Sequence, residues 1–458
     1  MKLVFGVKDK PKFGQMIVFA FQQLLAIMAA TIAVPAIVGN GMTASAALFG
    51  AGVGTIIYQL FTKFRSPVFL GSSFAFIGSM SAAFAGAISM QVGYLGLLIG
   101  ALCAGLVYVI IALVVKFAGV QWINKLMPPV VIGPTVALIG LSLAGAAVND
   151  VFSYGAHNGS GFVMSTYAWV SFICAMVTLA VVILCSVYGK KMAKLIPFII
   201  GILAGYAVGL VFTIIGIVTE NPGLMIIDFT PFKALVADGV TLKTFVALPE
   251  FTFLNAIKGV KDFDAAYFAT VAVAYTPVAF VVFAEHIADH KNLSSIIEHD
   301  LLEDPGLHNT LLGDGVGSIA GAFFGGCPNT TYGESVGCVA ITGNASVVTI
   351  TTTAIMSILV SFISPFVAFL DSIPGCVMGG VCITLYGFIA VSGLKMIQKV
   401  DLEQHANLFT ASVILITGIG GMAMSIGKVT LTTTACALIL GILTNIMVNK
   451  GRKNNSAE

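Results

Sequence analysis

The sequence predicts an all-α polytopic membrane protein: fourteen transmembrane segments in two inverted seven-helix repeats, with two discontinuous spans that carry short extended segments. Three observations carry this expectation. Charge is scarce, since 58% of the 458 residues are hydrophobic and only 9% charged, against about a quarter charged in an ordinary soluble domain. Apolar runs long enough to cross a bilayer recur along almost the whole chain. Lysine and arginine fall overwhelmingly on one side of those runs.

A helix needs about 20 apolar residues to cross the hydrocarbon layer. Such segments lie at 13–38, 43–62, 68–86, 91–116, 128–147, 167–188, 196–218, 265–289, 308–325, 331–343, 347–368, 375–396, 407–425 and 430–449. Fifty glycines suit that setting, because small residues let helices approach closely where lipid gives them no hydrophobic reason to associate. The basic segment Met1 to Lys12 runs into the first apolar run without a small-residue cleavage site, so that run reads as a span and not as a removed signal.

Basic residues test the count, because cytoplasmic loops collect Lys and Arg. With the N-terminus inside, seventeen fall on the cytoplasmic side: Lys2, Lys8, Lys10, Lys12, Lys63, Arg65, Lys116, Lys125, Lys190, Lys191, Lys194, Lys291, Lys395, Lys399, Lys450, Arg452 and Lys453. Only Lys233, Lys243, Lys258, Lys261 and Lys428 fall outside. An even number of spans with both termini in the cytoplasm follows. The polar interval 219–264 then lies outside as an ordered connector, dividing the chain into repeats at 1–218 and 265–458.

The halves echo one another. Gly52-Val53-Gly54-Thr55-Ile56, with Phe61 nine residues after the glycine, matches Gly315-Val316-Gly317-Ser318-Ile319 with Phe324. Each copy is followed by a proline, Pro67 or Pro328, and a stretch rich in Gly, Ser or Thr. Seven spans per half force the copies into opposite orientations, as in secondary transporters; chance likeness between two glycine-rich helices is the competing reading. The stretches Leu70 to Phe76 and Pro328 to Glu334 disfavour helix. Irregular backbone at membrane depth must be buried in protein or face a wet cavity, and a half-helix beginning just after each stretch would aim free N–H groups at that cavity. Two kinked packing helices are the plainer alternative.

Carboxylates narrow the location. Glu334 is the one charge between Gly315 and Leu370, and an intramembrane carboxylate points to function because it is costly to bury. Glu285 and Asp289 are one turn apart on a shared helix face, with His286 and His290 displaced from it. The run Ala265 to Ala284 could already span the membrane and leave Glu285 at its edge; alternatively the helix continues through Leu293 to Ile297 and Glu285 lies deeper.

Other chemistries find little support. No basic patch interleaved with aromatics suggests nucleic acid, none of the eight cysteines is in Cys-x-x-Cys spacing, and no His-Glu-x-x-His motif is present, so neither a metal site nor a catalytic residue is expected. The cysteines read as small packing residues. Gly313-Asp314-Gly315 faintly resembles an aspartyl-protease motif but reads better as a loop aspartate beside glycines.

At these residues the chain resembles the nucleobase-ascorbate transporter family, the nucleobase cation symporters of the second type, and within it the bacterial uracil permeases. The matching blocks are Gln22-Gln23 through Ala30-Thr31 to Val34-Pro35, Gly71 to Phe76, Ala284-Glu285-His286-Ile287, Asp304-Pro305-Gly306-Leu307-His308, Pro328 to Glu334, Val377-Met378-Gly379-Gly380 and Leu385-Tyr386-Gly387. They keep their order over nearly the full length.

The resemblance implies fourteen spans in a core and a gate domain, often as a homodimer in the cytoplasmic membrane. It also implies proton-coupled uptake of uracil, with the proton as coupling ion and no other cofactor. Glu285 and Glu334 become the carboxylates that hold the base, beside backbone at Phe74 and Gly333, with Ala30, Phe74 and Tyr332 as walls; Glu285, Asp289 and Glu334 become the candidates for proton coupling. Uracil offers two N–H donors and two carbonyls on a flat ring, which suits carboxylates, half-helix N–H groups and aromatic faces. A purine or xanthine permease is the nearest alternative, although purine relatives more often carry an amide where Glu334 stands. An anion exchanger of the same fold would need a cationic or dipolar site. Departures are Asp289 where uracil permeases often carry histidine, Ser335 where the signature has Asn, and Gly343 where Arg is common.

Overall fold

The computed structural model describes residues 3–119, 127–153, 155–190, 192–426 and 429–455. Of the basic residues counted above, Lys2, Lys125, Lys191 and Lys428 lie outside the described residues. The chain is almost entirely helical. In order it forms α1 (Phe13–Val38), α2 (Ala44–Phe61), strand β1 (Leu70–Ser72) leading through a 3-10 turn at Phe74–Phe76 into α3 (Ile77–Ala85), and α4 (Met90–Ala118). Then come α5 (Pro129–Val151, with a break after Ser142), α6 (Thr166–Tyr188) and α7 (Pro197–Val218).

After a connector of short helical turns the second half begins with α8 (Ala265–Ile297) and α9 (Leu307–Gly325). Strand β2 (Asn329–Thr331) leads into α10 (Gly333–Thr342), followed by α11 (Val347–Val360), α12 (Gly375–Ile397) and α13 (His405–Ile419). A hairpin of β3 (Met424–Ile426) and β4 (Val429–Leu431) precedes α14 (Thr433–Asn455). Among the described residues eight helices are long and apolar enough to cross a membrane, and 74–85, 347–360, 405–419 and 433–449 are shorter apolar helices. The chain is therefore a multi-pass membrane protein of helical fold.

Caps fix several starts: Thr43, Ser89 and Ser165 each accept a backbone N–H three residues on, at the heads of α2, α4 and α6. Large apolar side chains such as Ile110, Leu113 and Phe117 of α4 or Val211, Ile214 and Ile215 of α7 remain exposed, as expected where lipid and not water is the solvent. The helices α2, α4, α8, α9 and α11 pack on one another, and α5, α6, α7, α12 and α13 form a second set of mutual contacts.

The glycine echoes meet. A side chain on Gly54 would strike the carbonyl of Gly317 at 2.7 Å, and one on Gly317 would strike the carbonyl of Gly54 at 2.8 Å. The contact is reciprocal, so α2 and α9 cross backbone to backbone at equivalent residues. The two extended stretches likewise pair with each other: β1 and β2 are antiparallel, with Leu70 opposite Thr331, Gly71 opposite Thr330 and Ser72 opposite Asn329. Two strands buried throughout cannot leave their backbone unsatisfied. Pairing satisfies part of it, Thr55 Oγ1 bonds both the N–H and the carbonyl of Leu70, and Asn329 Nδ2 donates to Gly50 O at 2.9 Å.

The aspartate of Gly313-Asp314-Gly315 is not in a loop. It sits inside α9, 1% exposed, and is bonded to His286. Glycines on either side serve helix packing: a side chain on Gly313 would press on Tyr58 and one on Gly315 on Tyr108.

Candidate functional site

Beside the crossing of β1 and β2 lies a cavity of about 400 Å³. Its polar side is formed by Glu285 and Asp289 of α8, Ser73, Thr330 and Thr331 at the strands, and Gly333 and Glu334 at the head of α10. Its apolar side is formed by Val136 and Ile139 of α5, Phe198 of α7, and Leu385, Phe388 and Ile389 of α12.

The helix that carries Glu285 continues well past it. Asp264 caps α8, accepting from the Tyr267 N–H at 2.6 Å, and the helix runs unbroken for 33 residues to Ile297. At about 1.5 Å per residue that length exceeds the hydrocarbon thickness, and Glu285 faces the cavity together with Asp289. Asp289 Oδ2 accepts from Thr331 Oγ1 at 2.8 Å, which ties α8 to the end of β2.

Glu334 is the second residue of α10, in its first turn. Tyr332 precedes that helix in extended backbone (φ −110°, ψ 121°), so the opening N–H groups of α10 have no intrahelical acceptors and carry the positive end of the helix dipole. Gly333, which is exposed, opens this turn with no side chain to cover it. Tyr332 itself is held: its hydroxyl donates to Ser72 O at 2.7 Å, and its ring lies so close over Gly71 that any side chain there would collide with it. Phe74, half-buried, meets the ring of Tyr386 edge-on at 5.9 Å, so it lies between the strand crossing and α12.

Of the residues the sequence pointed to, Glu285, Asp289, Glu334, Phe74, Tyr332 and Gly333 all line this one cavity. Ala30 does not. It is 1% exposed, packed in one cluster with Phe69 and Tyr332, and the α1 residue lining the cavity is Ala26, one turn earlier. The α12 wall was missed. Its Leu385-Tyr386-Gly387 block is legible as sequence, but nothing in an apolar helix tells which face meets a site built by distant elements. Ser73 was also missed as a lining group, although it sits within the quoted Gly71 to Phe76 block.

The fold, the interrupted helices and a cavity lined by carboxylates and helix-end backbone define a membrane permease. The chain belongs to the Permease family, whose profile matches residues 14–427. It is 38% identical to the uracil permease of Bacillus caldolyticus over 450 residues, covering 98% of this chain and 95% of that one. The uracil permease of Bacillus subtilis (strain 168) is also 38% identical, over 99% and 97%. That of Escherichia coli (strain K12) is 35% identical over 95% and 92%. Relatives named permeases mark a transporter and not an enzyme. Among solved structures, the transmembrane domain of a cyanobacterium bicarbonate transporter, BicA, superposes with a TM-score of 0.62 at 16% identity, covering 96% of this chain and all of that one. Murine Slc26a9, an anion transporter in the inward-facing state, gives 0.62 at 12% identity over 97% and 69%. At such identities the likeness is one of fold.

Proposed function

We propose that this protein takes up uracil across the cytoplasmic membrane by proton-coupled symport with alternating access. The observation that carries the reading is the convergence of Glu285, Asp289 and Glu334 with the head of α10 on one cavity. Carboxylates accept the two ring N–H groups, helix-end N–H groups meet the carbonyls, and Phe74 and Tyr332 flank the ring. Three carboxylates on one cavity do not suit an anion. The names of the relatives support a nucleobase, and uracil in particular.

The same reading includes fourteen crossings in inverted repeats at 1–218 and 265–458, joined by an extracellular connector at 219–264. The reciprocal approach of Gly54 and Gly317 and the pairing of β1 with β2 support it, because each joins equivalent elements of the two halves. The set containing α2, α4, α8, α9 and α11 serves as core and the set containing α5, α6, α7, α12 and α13 as gate, the cavity lying where α12 faces α8 and α10. Both termini are cytoplasmic, by the excess of basic residues on that side. The exposed Lys194 lines the cavity, which supports a mouth on the basic side and an inward-facing conformation.

Uracil is neutral near pH 7, so the membrane potential alone cannot concentrate it, and a carboxylate that binds a proton during the cycle supplies the coupling. Radiolabelled uracil uptake into vesicles under an imposed pH gradient tests the reading. Accumulation that collapses with a protonophore is expected. Absence of uptake, or indifference to the protonophore, overturns it, and stronger competition by xanthine than by uracil moves the substrate to the purines.

A further inference from the structure

The face of α8 that turns away from the cavity carries a second polar cluster. His286 and His290 are fully buried and stack with ring centroids 4.0 Å apart. His286 Nδ1 lies 2.7 Å from Asp314 Oδ2, and its Nε2 lies 3.0 Å from Thr310 Oγ1, both on α9. Thr310 Oγ1 is also 3.0 Å from the carbonyl of Leu307. Asp314 Oδ1 is buried without a hydrogen-bond partner among the described residues, as is the hydroxyl of Tyr108 on α4, whose ring stands edge-on to His286 at 6.4 Å.

Hydrogen-bond accounting separates the two histidines. A carbonyl can only accept, so the 2.7 Å contact from His290 Nδ1 to His286 O puts a proton on that nitrogen. Its Nε2 then accepts from the Tyr58 hydroxyl at 2.7 Å, and Tyr58 is also within 2.8 Å of Ser66 Oγ. His290 is thereby satisfied as a neutral ring.

His286 has two satisfied arrangements that differ by one proton. If Thr310 donates to Leu307 O, its oxygen accepts from a protonated Nε2, and one further proton lies between Nδ1 and Asp314; the pair is then neutral overall. If that pair gives up a proton, the Thr310 hydroxyl turns from Leu307 O to Nε2, Nδ1–H donates to the carboxylate, and the pair is a net anion. Every polar atom of His286 keeps a partner in both arrangements.

We propose that the His286–Asp314 pair, with Thr310 as its hydroxyl pivot, is a second proton-binding site behind the cavity that loads and unloads during transport. The inference rests on the proton-coupled reading above. The titratable groups within electrostatic reach of the pair are Glu285, Asp289 and His290 on α8 itself, Tyr108 from α4 and Tyr58 from α2, and none of these is a lysine or arginine. A lone buried anion is costly, so the pair is loaded in this conformation, and the proton leaves to water only in one that hydrates it. Because α8 carries Glu285 and Asp289 on its other face, loading the pair biases the helix that contacts the solute.

The test uses the full-length protein in liposomes, with protons followed by an internal pH dye and uracil by radiolabel. Wild type is expected to move protons with uracil. Asp314→Asn is expected to move fewer protons per uracil and to lose about tenfold in gradient-driven accumulation, while uracil exchange, which needs no net proton movement, stays within about threefold of wild type. Should Asp314→Asn fail to fold, Thr310→Val, which removes only the pivoting hydroxyl, is expected to show the same split between accumulation and exchange. Wild-type proton counts and accumulation in either folded variant overturn the proposal while leaving symport standing. A wild type that moves no protons with uracil overturns both.

Discussion

Gln23 of α1 donates to Ser335 Oγ of α10 at 2.6 Å, and both side chains are buried. Ser335 follows Glu334 directly, so this bond fixes the first turn of the half-helix that carries the cavity's most isolated carboxylate. Its removal leaves the buried amide donor only a long 3.5 Å contact to the Ser335 carbonyl, and a buried donor so poorly satisfied costs about 1 to 3 kcal/mol. Ser335→Ala is expected to lower thermal stability by that amount and to weaken uracil binding. Adding Gln23→Leu to it should restore part of the loss, because no donor is then stranded; equal and additive losses in a double-mutant cycle would show that the two residues do not act together.

Glu334 and Glu285 approach the cavity from different helices, α10 and α8. If each accepts a ring N–H of uracil, Glu334→Ala is expected to abolish ligand-induced thermal stabilisation, and Glu285→Gln to weaken it by more than about tenfold, since a charge-assisted bond becomes a neutral one. The measurement is a melting shift across a panel of bases. A normal shift with uracil in Glu334→Ala would remove that residue from the site.

Much of this arrangement is legible in the sequence, and for definite reasons. Scarce charge and long apolar runs declare membrane helices because lipid permits nothing else. Gly71 to Phe76 and Pro328 to Glu334 stand out because extended backbone inside an apolar segment needs residues that tolerate it. Glu285 is ambiguous in the sequence, since a carboxylate near the end of an apolar run reads equally as an edge charge, and the sequence does not show that α8 continues to Ile297 and turns Glu285 to the cavity. Asp314 was hidden for the opposite reason: two glycines disguised a helical, buried aspartate as a loop residue, and its partner His286 comes from a helix 28 residues away. Ala30 and Ala26 share a helix face, and which of them meets the cavity depends on where Tyr332 of the other half comes to rest.

Gly71 tests the strand crossing itself. A methyl group there would enter the ring of Tyr332, whose hydroxyl is anchored on Ser72 O. The ring cannot swing away without breaking that bond, and overpacking of this kind costs about 1 to 3 kcal/mol. Gly71→Ala is expected to lower the melting temperature and to raise the KM for uptake. Gly78→Ala serves as the control, because a side chain at Gly78 meets nothing within 4 Å and Gly78 does not line the cavity. Equal behaviour of the two variants would mean that Tyr332 is not fixed by β1.

Arg65, after α2, holds Asp304, before α9, through a 2.8 Å bond, and that guanidinium keeps the Asp304 carboxyl below its usual range. A carboxyl depressed in the folded state adds stability above its unfolded pKa and loses it as pH falls through the folded one. Both side chains are about half exposed, 48% and 46%, so the contribution is small. Arg65→Gln is expected to melt slightly below wild type at neutral pH, with the gap closing as the buffer is acidified into the carboxylate range and shrinking in high salt. A gap that widens on acidification would assign the stabilisation to another group.

The bond from Thr331 Oγ1 to Asp289 Oδ2 allows charge and geometry to be separated. Asp289→Asn keeps an acceptor for Thr331 through its amide carbonyl and removes only the charge. Thr331→Val keeps the charge and the shape but removes the donor that ties α8 to β2. If Asp289 takes part in proton coupling, Asp289→Asn should bind uracil within about threefold of wild type yet accumulate it at least about tenfold less under a pH gradient. Thr331→Val should do the reverse, weakening binding several-fold while uptake still follows the gradient. Gradient-driven accumulation that survives in Asp289→Asn and fails in Thr331→Val would make Asp289 a positioning residue, holding the end of β2 against α8, and would leave the coupling proton to Glu285 and Glu334 in the cavity and to His286 and Asp314 behind it.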